Sequence, residues 1–521
     1  MLAVSKILQR SERQVDDEKI VETFVDLGVV AQLANRNNQV IYGRRGTGKT
    51  HVFRVLRSQL EDESAANVVV YIDARTLGSS AQFSDESVEL QRRVVALLRD
   101  IFGPIYNSML EHIVERVSED ANRALAVLDQ LIPAITETDK TLQEEKRTTA
   151  ESTSMSSDLK ASATVGDATK IGLAIGGARG ESRAETVEQR FAKAGDDKIV
   201  FPALSDTLAE VLKRSGAQLY LLIDEWSSLP ADLQPYLSEF IKRTLLPLED
   251  VTIKIAALEY RSHFSAKNSV GVFGFELGAD VATAPDLDDY YVFNRNPDRI
   301  TDAYGEILLR HMNVELPPNY LADRYGVRAG ADLGSKLFTQ RPTLQELARA
   351  CEGVIRDLIN IFTKAFFHAQ RRGRDTIDQK AVLEGAREWF EQDKARSLDE
   401  DMNHALRRIV DVVIGGRRAR SFLMQREFER HGLVQRLIDA RVLHLMQRGY
   451  ADKDNPGVRY NIYSLDYGTY VDLIGTSKQP QIDMSESAAE ADVVVPFDDK
   501  RSIRRIVLDP AVLETQKART A

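Results

Sequence analysis

The chain has 521 residues, 43% of them hydrophobic and 28% charged, with a formal net charge of −10. That length exceeds one ordinary core and implies two or three domains, while the acidic balance argues against a surface coated uniformly in nucleic acid. The single cysteine, Cys351, excludes an intramolecular disulfide framework and any zinc cluster built on several thiolates.

The N-terminus turns charged too early for a secretory signal, and no apolar run approaches the roughly 20 residues a spanning helix needs. A cytoplasmic chain with no membrane partner is the expectation. The first elements are an amphipathic stretch near Val21 to Leu33 and a short apolar strand, Asn38 to Tyr42. That strand ends in Gly43-Arg44-Arg45-Gly46-Thr47-Gly48-Lys49-Thr50, after which His51 onwards carries helical periodicity. Asn67 to Asp73 is a second strand, whose unbroken apolar run fits a parallel strand covered on both faces.

From about Thr136 to Asp197 the composition turns polar and Ser/Thr-rich. Within it Leu159 to Val165 and Ile171 to Ile175 alternate around Gly166-Asp167, the pattern of an inserted β-hairpin. Such a hairpin is either a surface ornament or an edge that pairs with another subunit or a partner. Gln218 to Asp224 and Val251 to Leu258 are two further buried strands, and strands separated by helical stretches indicate a parallel α/β sheet. After about Pro317 the chain becomes mainly helical, with 3.6-residue spacing from Thr343 to Gln370. Between Arg407 and Arg448 ten arginines face four acidic residues, a local balance of about +6. There Phe422 to Tyr450 reads as two helices, followed by a turn-rich loop and the alternating Val458 to Leu465. The remainder reads as a loosely packed tail.

The glycine loop carries its own chemistry. Gly43, Gly46 and Gly48 let backbone N–H groups converge on phosphate oxygens without Cβ interference. Lys49 supplies a point charge to the β- and γ-phosphates, Thr50 offers a hydroxyl to Mg²⁺, and the helix that follows points its positive end at the same anion. Thr47 and His51 complete the nucleotide-binding set. The run Leu221-Leu-Ile-Asp224-Glu225 places two carboxylates at the C-terminal end of a buried strand. Asp224 would hold the Mg²⁺ shell, and Glu225 would polarise the water that attacks the γ-phosphate. ATP with Mg²⁺, bound and hydrolysed, is the expected chemistry. Asp224 lies 175 residues after Lys49, and the insertion accounts for roughly a third of that distance.

With these motifs in place the chain resembles the origin-recognition-complex-like, initiator-type branch of AAA+ ATPases with a C-terminal winged helix. The resemblance rests on Asn38 to Val52, the strand ending at Asp73, Leu221 to Glu225 and Leu287 to Arg310. It implies an α/β fold: a P-loop AAA+ core with a parallel sheet (1–316, insertion 136–197), a helical lid (317–398), a winged-helix-like domain (399–475) and a tail (476–521). Glu352-Gly353-Val354-Ile355-Arg356 is similar to the family's second sensor, which implies that Arg356 reads the γ-phosphate; a surface arginine on a core helix is the alternative. Glu259 and Arg261 stand at the first-sensor position, where the family usually has a neutral polar residue. From Ser262 to Asn294 there is no arginine to serve as the finger that reaches a neighbour's nucleotide. Arg295, Arg299 and Arg310 lie off the family's pattern.

In the C-terminal module the resemblance implies a winged helix. It would bind double-stranded DNA through 399–475, with Gln435 to Met446 in the major groove and Arg436, Arg441 and Arg448 on phosphates, or serve as a protein contact. Two functions follow. The first is an ATPase switch on DNA or in a DNA-associated assembly. The second is a signalling or antiviral-defence-type NTPase that binds a sensor or effector protein and regulates it through ATP-dependent assembly. Both imply a protein partner or a homo-oligomer.

Overall fold

The computed structural model describes residues 2–7, 17–78, 87–88, 90–117, 120–131, 201–267, 271–291, 293, 296–415, 419–451, 457–476, 506–509 and 513. The expected hairpin between Leu159 and Ile175 lies outside the described residues, as do Arg295, Asp452 and Asp454. The chain forms two compact units. One holds residues 32–41 and 56–284, the other residues 1–31, 42–55 and 285–521.

The first unit is built on a five-stranded sheet. Its strands are β1 (Gln39–Tyr42), β2 (Asn67–Asp73), β3 (Gln218–Asp224) and β4 (Val251–Ala257). After β4 come a small antiparallel ribbon, β5 (Ser265–Lys267) with β6 (Val272–Gly274), and then the sheet's last strand, β7 (Ala282–Thr283). The order across the sheet is β2-β3-β4-β1-β7. β1 pairs β7, β2 pairs β3 and β3 pairs β4, all in parallel. Every residue of β4 is buried, which explains why its sequence shows no alternation. The α/β class with a parallel sheet is therefore as expected. β4 lies between β3 and β1 in the sheet, and β3 ends in Asp224. Two-residue β7 has too little pattern to be read from sequence. The β5–β6 ribbon packs on the helix Gln234–Thr244 through Phe273 and Tyr236, rings 4.8 Å apart.

In the other unit the amphipathic stretch near Val21 to Leu33 is two short helices, Asp17–Thr23 and Val29–Leu33. Asp26 ties the break by accepting from the Gly28 and Val29 amides, both at 2.8 Å. The periodic stretch from Thr343 to Gln370 is likewise two helices, Arg341–Ala350 and Ile355–Arg371. Between them Glu352 and Gly353 adopt φ of 51° and 84°, which turns the chain sharply just before Arg356.

The C-terminal part corrects two expectations. Phe422 to Tyr450 is not two helices. It is β8 (Ser421–Gln425), a short 3-10 helix (Arg426–Arg430), one α-helix (Gly432–Asp439) and β9 (Leu443–Ala451). With β10 (Arg459–Leu465) these strands form an antiparallel sheet ordered β8-β10-β9. Gln435 to Met446 is thus half helix and half strand, and it offers no continuous helix to a groove. Part of the tail is also packed rather than loose. Val507 bridges Leu423 in parallel, the Leu508 amide donates to Leu423 O at 2.8 Å, and Ile506, Leu508 and Leu513 are buried. This covers the outer edge of β8, which would otherwise present unpaired backbone groups. Among the described residues no helix is long and apolar enough to cross a membrane.

Candidate nucleotide site

The glycine loop follows β1 without a gap and runs into the helix Lys49–Glu63. Gly46 and Gly48 have φ of 85° and 99°, where a side chain is strained. Space forbids one as well: a Cβ on Gly46 would lie 2.9 Å from the Arg356 Cβ and one on Gly43 2.8 Å from the Thr47 hydroxyl. The Lys49 ammonium donates to Gly43 O at 2.7 Å and to Arg44 O at 3.0 Å, which anchors it across the loop. The Thr47 hydroxyl donates to Arg44 O at 2.9 Å. Thr47, Lys49 and Thr50 are all buried. Arg356 meets the same loop, its amide donating to Gly46 O at 3.0 Å. Gly43, Gly46, Thr47, Gly48, Lys49, Thr50 and Arg356 are thus brought together. His51 is turned elsewhere. Its Nε2 hydrogen-bonds Ile20 O at 2.6 Å, its ring meets Phe24 edge-on, and burial lowers its pKa to about 4. Its ring is committed to the helix Asp17–Thr23, a packing role that helical periodicity alone could not separate from a ligand role.

The two carboxylates belong to the sheet unit. Asp224 is fully buried at the end of β3, and both of its oxygens are held. Oδ1 accepts from the Glu225 amide at 2.8 Å, and Oδ2 accepts from the Tyr71 hydroxyl at 2.9 Å. Burial, followed by the Asp224 charge, pushes the Tyr71 phenol far above its ordinary value, so it remains a donor. Glu225 is in the left-handed region at φ 55°, ψ 36°, a conformation a non-glycine residue holds at a cost of about 1–3 kcal/mol. Strain of this kind concentrates at working sites. Tyr71 was not foreseen; the one available signal is a tyrosine inside an otherwise aliphatic strand. Glu259 and Arg261 occupy a single exposed turn after β4, where Arg261 O accepts from the Gln234 side chain at 3.2 Å.

A hydroxyl and a carboxylate are hard oxygen donors of the kind Mg²⁺ takes, and a Cβ-free loop with a buried lysine suits a polyphosphate. The loop residues therefore fit the phosphates of a nucleotide.

Several arginines of the C-terminal module are paired within the chain, while Arg407, Arg426 and Arg430 are exposed. Arg441 is buried and pairs with Asp357 and Asp393, so it is not on a surface that could meet a phosphate. Arg436 pairs with Asp399, and Arg448 Nε donates to Glu429 at 2.8 Å. Among the finger candidates Arg310 is bound to Glu306 and to Phe24 O, whereas Arg299 is exposed.

Residues 10–101 match the family model described as ORC-CDC6-like, so the resemblance read from the nucleotide motifs holds over that segment. The match covers less than a fifth of the chain, and over it the chain is similar to that family. Among solved structures it is similar to a Walker-type ATPase of Pyrococcus abyssi, at 12% identity and a TM-score of 0.37, covering 91% of this chain and 100% of that one. It is also similar to the ORC2 protein of Aeropyrum pernix in ADPNP and ADP complexes, at 10% identity, a TM-score of 0.32, and coverage of 89% and 93%. A third is the Aeropyrum pernix ORC1 protein in complex with DNA, at 14% identity, a TM-score of 0.29, and coverage of 88% and 96%. At such identities, and with TM-scores below 0.5, these structures assign no residue and no activity to this chain. No curated protein matches the sequence.

Proposed function

We propose that the chain is an ATP-binding and ATP-hydrolysing AAA+ ATPase that acts as a nucleotide-controlled switch. One observation carries the reading: the loop Gly43–Thr50 leaves no room for a Cβ at Gly43 or Gly46 and holds a buried lysine at the start of a helix. That arrangement has little use in a core, where small gaps are filled, and it suits an anion. In this reading Lys49 and the loop amides bind the phosphates and Thr50 and Asp224 hold Mg²⁺. The metal, when bound, neutralises charge on the transferred phosphoryl group. Glu225 orients and polarises the water, and Arg356 reports the γ-phosphate from the first turn of the helix Ile355–Arg371. The assignment of 1–316 as core, 317–398 as lid and 399–475 as winged module belongs to the same proposal.

The partner is proposed on separate grounds. The switch would act on DNA or in a DNA-associated assembly, in keeping with the ORC-CDC6-like match over residues 10–101. A second reading has its own support. Because Arg436, Arg441 and Arg448 are engaged within the chain, the module has fewer free cations for phosphates than its composition suggests, which favours a protein partner as in a signalling or defence-type NTPase. Duplex affinity measured from low to high salt separates them. Phosphate contacts make it fall steeply with salt, while a protein-binding module shows weak binding throughout. The catalytic claim is tested by Glu225→Gln, which is expected to keep ATP affinity and lose at least about 100-fold in turnover. Unchanged turnover would remove Glu225 from the mechanism.

A further inference from the structure

Arg44 is the loop residue that phosphate chemistry does not explain. Its backbone works inside the loop, because the Arg44 carbonyl accepts from both the Lys49 ammonium and the Thr47 hydroxyl. Its side chain reaches three distant segments. Nε donates to Asp288 at 2.9 Å, Nη2 donates to Glu352 O at 2.7 Å, and Nη1 meets His444 Nδ1 on β9. Burial opposes the guanidinium charge, but Asp288, Glu352 and Asp286 together raise the pKa. The approach to the 352–353 turn is close, since a Cβ on Gly353 would sit 3.2 Å from Nη2.

His444 can accept from Arg44 only when Nδ1 is unprotonated, and the surroundings provide for that. Burial lowers its pKa to about 4, and its other nitrogen lies 3.3 Å from Asp466 Oδ1, where an Nε2–H would donate. Asp466 also accepts from Lys394 at 2.6 Å, and Lys394 pairs with Asp357 at 2.8 Å. Asp357 follows Arg356, whose amide returns to Gly46 O. The contacts therefore close a circuit from the loop at Arg44, through His444, Asp466, Lys394 and Asp357, back to the loop at Gly46. All of its members lie in one unit. The side chain of one loop residue is thus bonded to His444 on β9, while its carbonyl is bonded within the loop.

We propose that Arg44 is a positioning residue for the phosphate-binding loop, and that its bond to His444 couples ATP affinity to the order of the C-terminal sheet. The proposal rests on the reading of the loop as an ATP site. Coupling of this kind is reciprocal: if the sheet favours the binding shape of the loop, ATP must favour the order of the sheet by the same factor.

The test uses the full-length protein. Amide hydrogen exchange is followed in 421–425, 443–451 and 459–465 with and without Mg·ATP, and ATP affinity is measured by calorimetry. Wild-type protein is expected to show slower exchange in these strands with ATP. His444→Ala is expected to bind ATP about fivefold more weakly or worse and to lose the ATP-dependent protection. Arg44→Ala combined with His444→Ala should be no weaker than Arg44→Ala alone, because both remove one interaction. A wild-type protein that binds ATP with no change in exchange across the three strands overturns the proposal, and so does unchanged affinity in His444→Ala. The wild-type exchange experiment decides alone if the variants do not fold. Absence of any ATP binding by the wild type would instead sink the reading beneath it.

Discussion

The Tyr71 hydroxyl and the Glu225 amide fix the two oxygens of Asp224, one each, so this carboxylate cannot rotate without breaking a bond. A carboxylate held this way presents a set direction to a hydrated cation. If Asp224 holds Mg²⁺ as proposed, removing one hydroxyl acts on the metal and not on the nucleotide. Tyr71→Phe is expected to raise several-fold the Mg²⁺ concentration needed for half-maximal ATP affinity, with affinity in chelator unchanged. A purely structural tyrosine would leave that Mg²⁺ dependence where it was. At this scale the sequence shows residues whose chemistry is local. The loop declares itself by glycine spacing, and Asp224-Glu225 by their place after four apolar residues. Tyr71 and Arg44 act through partners 153 and 400 positions away, and no spacing rule reaches that far.

Among the elements, β4 carries an unusual burden. Lys254 is fully buried within it, donating to Asn37 O at 2.7 Å, to Gln39 Oε1 at 2.5 Å and to Asn35 Oδ1 at 3.1 Å. Burial nevertheless lowers its pKa to about 7 from 10.5. Between those values the unfolded chain holds a proton that the folded chain has released, so folding becomes more favourable as pH rises. Wild-type stability relative to Lys254→Met should accordingly climb from about pH 7 to about pH 10.5 and be flat below pH 7. Denaturant midpoints across that range measure it, and a flat difference throughout would show that the ammonium keeps its proton. The ion-paired junction of the helix Ile355–Arg371 gives a second expectation. Asp357 is fully buried between Lys394 and Arg441, with Trp389 Nε1 donating to it at 2.9 Å. Lys394 and Arg441 keep its carboxyl below the usual range although burial pushes the other way. Asp357→Asn leaves two buried cations short of a counter-charge and should cost about 3–5 kcal/mol of unfolding free energy, read from denaturant titration. A loss under about 1 kcal/mol would mean that water reaches the cluster. β2, β3 and β4 could be read from sequence because each is a seven-residue run of mostly apolar residues, and the four-residue β1 because the glycine loop follows it. β8 and β9 could not. Phe422 to Met424 and Leu443-His-Leu-Met are short apolar runs beside a real helix, and such runs have no period that distinguishes strand from helix.

For the whole molecule, the arginines between 407 and 448 show how composition misleads. A local balance of about +6 reads as a phosphate-binding surface, yet Arg441 neutralises carboxylates in the interior and Arg420 is buried against Glu352. Charge excess locates neither the sign nor the place of a surface until the partners are known. The chain's two units likewise do not follow sequence order, since residues 42–55 group with 285–521. A strand, a loop and the helix after it are read together along the chain, while packing divides them. If the loop binds ATP and Glu225 drives its cleavage, the nucleotide left on the protein must report both. The most direct test is the nucleotide that stays with the protein after incubation with Mg·ATP and rapid desalting. Wild-type protein should retain ADP, Glu225→Gln should retain intact ATP, and Lys49→Ala should retain neither. Wild-type protein that emerges without nucleotide, in a mixture whose ATP is not consumed, would contradict the claim.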